Sequence, residues 1–299
     1  MASIYRTTQS SLTTGVMNNL QKSLDRLGTT QAKMSSGKEV AKPSDSPVAT
    51  ASAMRYRSDM KATEQHLRNA GDAIGWLGMA DTTLTNSLES VRRVKELGLS
   101  GMNSTTDAQA RGALAAEVDA LRDSIIGLAN TKYLDRPIFA GTADVPAAYT
   151  TAGDLAGDAA SYSRPVERTV APGVKIKVNV DGPALFGDSS AGLLKQLADI
   201  SEHLKNDPSA LSGDLNALDA SFNKITDALS DVGARYNRVQ TMQSRAEDAM
   251  IVMRGGLSEV EDIDLPKTVM DLQMQQVAYQ AALSVTAKVI QPSLSDFLR

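Results

Sequence analysis

The chain has 299 residues, a net charge of −4 at neutral pH and an aromatic content of only 4%. This charge provides no basic surface for nucleic acid or for an anionic membrane, and no apolar run approaches the ~20 residues that a membrane-spanning helix needs. Because cysteine is absent, disulfides, thiol catalysis and cysteine-ligated metals are excluded. So few aromatic residues favour long, thin helical bundles over one thick globular core.

The N-terminal segment carries apolar residues at alternating intervals of three and four residues. This spacing predicts an amphipathic helix over residues 10–36 that ends at Gly37. The spacing alone is equally compatible with a surface helix folded back on the body of the protein. The apolar face of the predicted helix consists of Met17, Leu20, Leu24, Leu27 and Met34, with Gln31 as its polar member.

The peptide that follows, residues 34–49, reads MSSGKEVAKPSDSPVA. It predicts a helix end, a stiff proline-constrained connector, and a new helix that is capped by Ser44 or Ser46 and has Pro47 at its first position. The peptide also resembles the N-terminal signature of the flagellin superfamily. Within that superfamily, KPSD followed by PVA is similar to the hook-associated branch, which joins the flagellar hook to the filament.

Two further helices are predicted before residue 142, where the apolar period changes. Residues 48–98 continue an apolar stripe that includes Leu77 and Leu84, and Asp107 is a predicted cap for a third helix that extends to residue 128. These long helices are expected to share one bundle, because each has one apolar stripe that must be covered.

Trp76 lies among three glycines, Gly71, Gly75 and Gly78, which is compatible with a ligand pocket. Small residues at this spacing more often let two helices approach closely, and we favour that interpretation. The segment WLGMAD, residues 76–81, resembles part of the helical core of hook-associated proteins.

The period changes to two residues in the segment 142–190, where apolar and polar residues alternate. The alternating apolar positions are Val174, Ile176, Val178 and Val180. With residues 166–170 before the turn at 171–173, they predict a β-hairpin in a small insertion that hangs outside the helices. A helix is predicted to return over residues 193–204.

The longest regular pattern is a 3.5-residue apolar repeat over residues 215–260. It predicts a helix about 70 Å long with one apolar seam, at ~1.5 Å per residue. Each buried Leu or Val contributes about 1.5 to 3 kcal/mol, so the seam must be covered, and the second helix is the predicted partner. The core seam includes Leu218, Phe222, Ile225, Leu229, Val232, Tyr236 and Val239.

A final helix is predicted from Asp264, as its cap, with Pro266 in its first turn. One predicted seam consists of Leu265, Val269, Leu272, Gln276, Tyr279, Leu283, Thr286 and Ile290. A second stripe beside it consists of Met270, Met274, Val277, Ala281, Val285 and Val289. A helix that is apolar on more than one face cannot be covered by one antiparallel partner, so we expect neighbouring copies to cover the remainder.

The expected assembly interface combines both chain ends. Its residues are Met17, Leu20, Leu24, Leu27, Met34, Val269, Leu272, Tyr279, Leu283, Ile290, Leu294 and Phe297. Isolated helices of this length have modest stability, so we expect the two ends to become helical only in the assembly. The C-terminal residues 279–283 and 290–299 also resemble the C-terminus of the hook-associated branch.

Candidate residues for chemistry are sparse. His66 and His203 are predicted on separate polar faces, as neither ligands nor bases. The carboxylates of Glu259, Glu261, Asp262 and Asp264 lack the spacing of a calcium loop and follow Gly255-Gly256, where we expect a helix break and then a solvated turn. No phosphate-binding loop or nucleophile motif occurs. We therefore expect no enzyme activity, no metal and no cofactor.

These patterns predict a mainly α fold, an elongated antiparallel helical bundle with paired terminal helices and a small inserted β-containing domain. The predicted divisions are an N-terminal assembly helix, two parts of a helical rod domain separated by the insertion, and a C-terminal assembly helix. Their respective ranges are 1–42 for the first helix, 43–141 and 191–262 for the rod, 142–190 for the insertion, and 263–299 for the last helix.

The resemblance implies a structural subunit at the junction between hook and filament, on which flagellin can polymerise. It implies a homo-oligomeric tubular ring, contacts with the first hook-associated protein and with flagellin, and an export chaperone. It also implies type III export to an extracellular site without a cleaved signal peptide, and residues 1–6 contain no apolar signal segment. Filament flagellin is the nearest alternative, and a soluble coiled-coil effector is another.

Overall fold

The computed structural model describes residues 9–103 and 107–290. It divides into two compact units: unit 1 contains residues up to 61 and from 250 onward, and unit 2 contains residues 62–249. Two long helices, α2 (Pro47–Gly101) and α7 (Leu211–Glu261), contribute to both units. In the described part of the chain, no helix is both long and apolar enough to cross a membrane.

The terminal helices of unit 1, α1 (Gln9–Ser36) and α8 (Leu265–Ile290), pack against each other. They run antiparallel, because the end of α1 lies beside the start of α8, where Ile263 N–H donates to the Gly37 carbonyl at 3.1 Å. The two helices are thus paired within one chain, as the predicted architecture requires, and their order in the free subunit stays a prediction. Each covers one side of the other, which supplies the burial that a lone helix lacks.

The α1–α2 connector is fixed by its own polar side chains. Gly37 ends α1 with a φ of 71°, a conformation that favours glycine. The Asp45 carboxylate accepts from the backbone N–H of Lys42 at 2.8 Å, and the Ser46 hydroxyl accepts from Ala49 N–H at 3.3 Å. Of the two predicted caps for α2, Ser46 is therefore the one that bonds to the first turn.

Helix α7 continues through Gly255 and Gly256 to Glu261, so the predicted break at this glycine pair is wrong. The pair has a packing role instead. A Cβ atom on Gly256 would lie 2.8 Å from Tyr56 Oη of α2, whereas a Cβ on Gly255 would meet nothing within 4 Å. Gly256 therefore leaves room for the tyrosine ring of the neighbouring helix.

This difference predicts opposite effects for two adjacent substitutions. Gly255→Ala should raise the free energy of unfolding by about 1 kcal/mol, because alanine is the better helix former and has open space. Gly256→Ala should lose that gain or lower the stability, because its methyl group displaces Tyr56. Urea unfolding of the two variants tests the difference, and equal stabilisation by both would contradict the packing role.

The helical part of unit 2 is formed by α2, α7, α3 (Ala108–Ala129) and α6 (Leu193–Asn206). As predicted, Asp107 caps α3, since its carboxylate accepts from Ala110 N–H at 2.6 Å. Helices α3 and α6 pack against each other. Leu215 of α7 lies against Gly98 of α2, where a Cβ would be only 2.8 Å from the leucine side chain.

The residues of the predicted core seam of α7 are buried within this helical packing to two different degrees. Leu218, Ile225, Val232 and Val239 are fully buried, and Phe222, Leu229 and Tyr236 are half-buried. The half-buried positions alternate with the buried ones along the 3.5-residue repeat, so they lie at the margin of the covered face. At that margin the Arg92 guanidinium lies 5.8 Å from the centre of the Phe222 ring.

A short hairpin that the sequence analysis did not predict follows α3. It consists of β1 (Lys132–Tyr133) and β2 (Arg136–Pro137), and its turn places Leu134 and Asp135 at φ of 47° and 61°. Tyr133 packs edge-on against Trp76 with ring centres 6.0 Å apart. Its hydroxyl would lie 2.3 Å from a Cβ on Gly75. Gly75 thus leaves room for a hairpin tyrosine, and not for a second helix as predicted.

The predicted hairpin of the insertion is present as β3 (Glu167–Ala171) and β4 (Val174–Lys177), between two short helices, α4 (Ala159–Tyr162) and α5 (Gly182–Phe186). It lies against α2, because Arg168 pairs with Asp72 at 2.5 Å and Asn69 donates to the Thr169 carbonyl at 2.8 Å.

Aromatic residues of the insertion also join the helical core. Tyr149 and Phe186 of the insertion pack edge-on against each other, and Phe139, just before the insertion, packs edge-on against Phe186. All three are buried in the same cluster as the helices of unit 2. The insertion therefore does not hang free of the helices as expected. The prediction of a mainly α fold with paired terminal helices and a small β-containing region is confirmed.

Candidate assembly surface

Helix α8 presents two different apolar faces. Leu272 and Tyr279 are half-buried, and Thr286 is buried, on the side that packs against α1. The opposite stripe is exposed to solvent, and Val277 retains 65% of its accessible surface. The other exposed members of this stripe are Met270, Met274, Ala281 and Val285. We call these five residues the α8 outer face.

An uncovered stripe of this kind is informative because soluble monomers seldom leave large contiguous apolar surfaces in water. The paired helix α1 adds to it, since Met17, Leu24 and Met34 are also exposed. The terminal pair thus hides one side of each helix and leaves further apolar side chains without cover in the single chain.

The predicted interface residues fall into three groups. Leu20, Leu27, Val269, Leu272 and Tyr279 are half-buried within the terminal pair. Met17, Leu24, Met34 and Leu283 are exposed. Ile290 is the last residue of α8, and Leu294 and Phe297 lie outside the described residues.

The side of α8 that faces α1 only partly coincides with the predicted seam. Leu265, Gln276 and Leu283 are exposed, whereas Gln275 and Ala282 are partly covered. The helix is apolar nearly all round, so its sequence favours no single face, and packing against α1 decides which side is covered.

A buried carboxylate in unit 1 links the end of α7 to α2 and to the α1–α2 connector. Only 8% of the Glu261 side chain is exposed, and both of its oxygens accept from Arg57 Nη2, at 2.5 and 2.7 Å. Lys38 forms a second ion pair with the same carboxylate. Backbone bonds reinforce the contact, because Glu39 N–H donates to the Glu261 carbonyl at 2.8 Å. We call Glu261, Arg57 and Lys38 the Glu261 node.

The node corrects the predicted solvated turn. Glu261 is buried, while Glu259, Asp262 and Asp264 are exposed, and Asp264 caps α8 by accepting from Lys267 N–H at 3.2 Å. Local spacing could not identify Glu261, because its partners lie 204 and 223 residues away along the chain.

Both histidines have partners within unit 2. His66 Nδ1 lies 3.3 Å from the Thr169 carbonyl of the hairpin, and His203 Nδ1 lies 2.6 Å from the Asp214 carboxylate. The hydrogen bond to Asp214 raises the pKa of His203 above its ordinary value, with smaller contributions from the charges of Asp199 and Asp207. The described residues contain no group of three or more His, Asp or Glu side chains that could hold a metal ion.

The raised pKa predicts a pH-dependent contribution to stability. A histidine whose pKa is higher in the folded chain stabilises it fully below the unfolded pKa, about 6.5, and loses that contribution as the pH rises through the folded value. As the pH rises above about 6.5, the melting temperature should therefore fall by more in the native chain than in Asp214→Asn. Identical pH profiles for the two proteins would contradict the assignment.

The fold defines a mainly helical chain that has paired ends and leaves apolar side chains of both terminal helices uncovered. The bacterial flagellin N-terminal helical region matches residues 7–144, and the bacterial flagellin C-terminal helical region matches residues 215–298. Together the matches cover well over half of the chain. The chain belongs to the bacterial flagellin family, and it is a structural component of the flagellum, outside the cell.

Individual relatives extend over most of the chain. Flagellar hook-associated protein 3 of Escherichia coli is 26% identical, over 84% of this chain and 86% of its own length. Flagellin of Bacillus subtilis is 23% identical, over 87% of this chain and 88% of its own length.

Solved structures share the fold. A flagellar hook-associated protein of Vibrio parahaemolyticus has a TM-score of 0.65 at 21% identity, and the match covers 73% of this chain and 100% of that one. The flagellar junction protein FlgL of Legionella pneumophila has a TM-score of 0.57 at 15% identity, with 70% and 99% covered.

Proposed function

We propose that the chain is the subunit that joins the flagellar hook to the filament, with its terminal helix pair in the core of a tubular ring. The α8 outer face carries this proposal, because it is apolar, uncovered and opposite the side that binds α1. Burying a side chain such as Val277 or Met274 between subunits contributes about 1.5 to 3 kcal/mol. Four such side chains in every subunit, together with Ala281, provide a substantial driving force for assembly.

The expected partners follow from this position in the flagellum. One side of the ring contacts the first hook-associated protein, and the other side provides the surface on which flagellin polymerises. Before assembly, an export chaperone covers the C-terminal end, whose apolar outer face would otherwise promote premature association. The subunit leaves the cell by type III export without a cleaved signal peptide, and it acts without a cofactor and not as an enzyme.

Two observations favour the junction over the filament itself. The KPSD and PVA residues of the α1–α2 connector resemble the hook-associated branch, and the E. coli hook-associated protein matches over most of both chains. Filament flagellin remains the second candidate, because the B. subtilis flagellin matches over a similar share of both chains.

Deletion of the gene in the source bacterium distinguishes these functions. The junction function predicts hooks without filaments, with flagellin lost to the medium, and full rescue by the native chain. If the chain were the filament subunit, the deletion would leave hooks and no secreted flagellin, and the purified chain would polymerise into long filaments. Normal flagella in the deletion strain would contradict both functions.

A further inference from the structure

A second exposed surface of unit 1 lies on the first turns of α2. Six exposed residues fall on one side of this helix at its 3.6-residue period: Val48, Ala51, Met54, Arg55, Ser58 and Lys61. Val48 retains 79% of its accessible surface. This surface, the α2 strip, is thus apolar with two positive charges, and the exposed Asp59 lies at its margin, one turn beyond Arg55.

The last turns of α7 carry a matching surface of opposite charge. Its exposed residues are Ile251, Val252, Gly255, Ser258, Glu259 and, directly after the helix, Asp262. Val252 retains 74% of its accessible surface. This surface, the α7 strip, is apolar with two negative charges, and the exposed Arg254 lies at its margin, one turn before Ser258.

Outside the terminal helix pair, exposed large apolar side chains are concentrated in the two strips. Outside α1 and α8, eight large apolar side chains are exposed in the described residues, and four of them belong to the strips: Val48, Met54, Ile251 and Val252. Arg55, Lys61 and Glu259 form no ion pair with another described residue, and the Asp262 carboxylate accepts only a hydroxyl hydrogen bond from Ser258 at 2.6 Å. The charges of both strips are therefore available to a partner.

We propose that the α2 strip of one copy binds the α7 strip of the next copy. A second copy fits both surfaces, because both strips are apolar and each carries the charge sign that the other lacks. A symmetric contact of either strip with itself would place like charges together. The contact is therefore head-to-tail, and such contacts generate rings or helical arrays, whereas symmetric ones generate closed dimers.

This inference rests on the proposed assembly in the flagellum and identifies lateral contacts outside the terminal pair. It gives the subunit two distinct interfaces within unit 1. The α8 outer face is purely apolar, whereas the strips add charge, which fixes the partner surface and the direction of the contact. Because these charges are exposed, the lateral contact should weaken as the salt concentration rises.

Charge reversal tests the contact in cells that lack the native gene. Reversing the α2 strip with Arg55→Glu and Lys61→Glu places acidic groups opposite the acidic α7 strip, and the subunit recovered in sheared flagella should fall about tenfold or more. Reversing the α7 strip with Glu259→Lys and Asp262→Lys should have the same effect. The chain that carries all four changes restores opposite charges at every contact and should recover most of the loss.

The matched control is Lys224→Glu with Asp227→Lys, which reverses two exposed charges of α7 outside the strip. It should assemble as the native chain does. If both reversed-strip variants also assemble normally, the proposed contact is wrong. It is also wrong if the variant with all four changes is recovered in flagella no better than those two variants. Absence of the native chain itself from flagella would instead overturn the proposed function.

Cross-linking provides a second test that does not depend on charge. The native chain has no cysteine, Ser58 lies in the α2 strip, and a side chain at Gly255 of the α7 strip has open space. In flagella that contain Ser58→Cys and Gly255→Cys subunits together, a bismaleimide about 10 Å long, roughly one helix diameter, should link the two variants. Flagella with either variant alone should give little product. Equal linking with a single variant would indicate a symmetric contact and overturn the proposal.

Discussion

Replacing Val277 by aspartate is expected to leave the isolated chain folded and to remove it from the flagellum. Val277 lies on the α8 outer face and retains 65% of its accessible surface, so a surface substitution there should change the free energy of unfolding by less than about 0.5 kcal/mol. In the proposed assembly the same position is buried between subunits, where an unpaired carboxylate is strongly unfavourable. Incorporation into flagella should therefore be lost.

The matched control is Leu272→Asp on the opposite side of the same helix. Leu272 is half-buried against α1, so aspartate at this position should destabilise the terminal pair in the isolated chain by about 1 to 3 kcal/mol. Comparing unfolding of the two purified variants with their recovery in sheared flagella separates folding from assembly. Normal assembly of Val277→Asp, or its unfolding as a monomer, would contradict the proposed interface.

Removal of Arg57 is the second change with a large expected effect, and it acts on the folded chain itself. Arg57→Ala removes both hydrogen bonds to the buried Glu261 carboxylate and leaves Lys38 as its remaining cation. Hydrogen bonds to charged groups contribute about 1.5 to 3 kcal/mol, so unit 1 should lose about 2 to 3 kcal/mol. Amide hydrogen exchange in α1 and α8 should accelerate accordingly.

Arg55 offers a matched control two residues away, because it is exposed and forms no ion pair with a described residue. Arg55→Ala should change the stability of the isolated chain very little. A double-mutant cycle with Glu261→Ala isolates the pair, since Arg57→Ala should have a much smaller effect once the carboxylate is gone. Equal effects of Arg57→Ala with and without Glu261 would show that the node does not stabilise unit 1.

Regular helices were predictable because the apolar period and the caps are local signals. Gly37, Pro47 and Asp107 mark helix boundaries in the sequence, and α1, α2 and α3 end or begin at these residues or beside them. The hairpin of β3 and β4 could be predicted equally well, because its alternating apolar residues and its turn at residues 171–173 lie within one short segment.

Features that depend on distant partners were not predictable. The hairpin of β1 and β2 has only two residues in each strand, and it is supported by packing of Tyr133 on Trp76, 57 positions earlier in the chain. The Glu261 node joins residues more than 200 positions apart. The side of α8 that faces α1 was ambiguous for another reason, because several faces of that helix are apolar and periodicity alone could not choose between them.

We expect the α8 outer face to be open in the free subunit and covered in the flagellum. Cysteine labelling measures this directly, because the native chain has no cysteine and Val277→Cys therefore introduces a single thiol. A small maleimide should label this thiol rapidly in the dissociated subunit and at least about tenfold more slowly in intact flagella. Thr151→Cys, at an exposed position of unit 2, should react equally in both states. Equal labelling of Val277→Cys in the free and the assembled subunit would contradict the account.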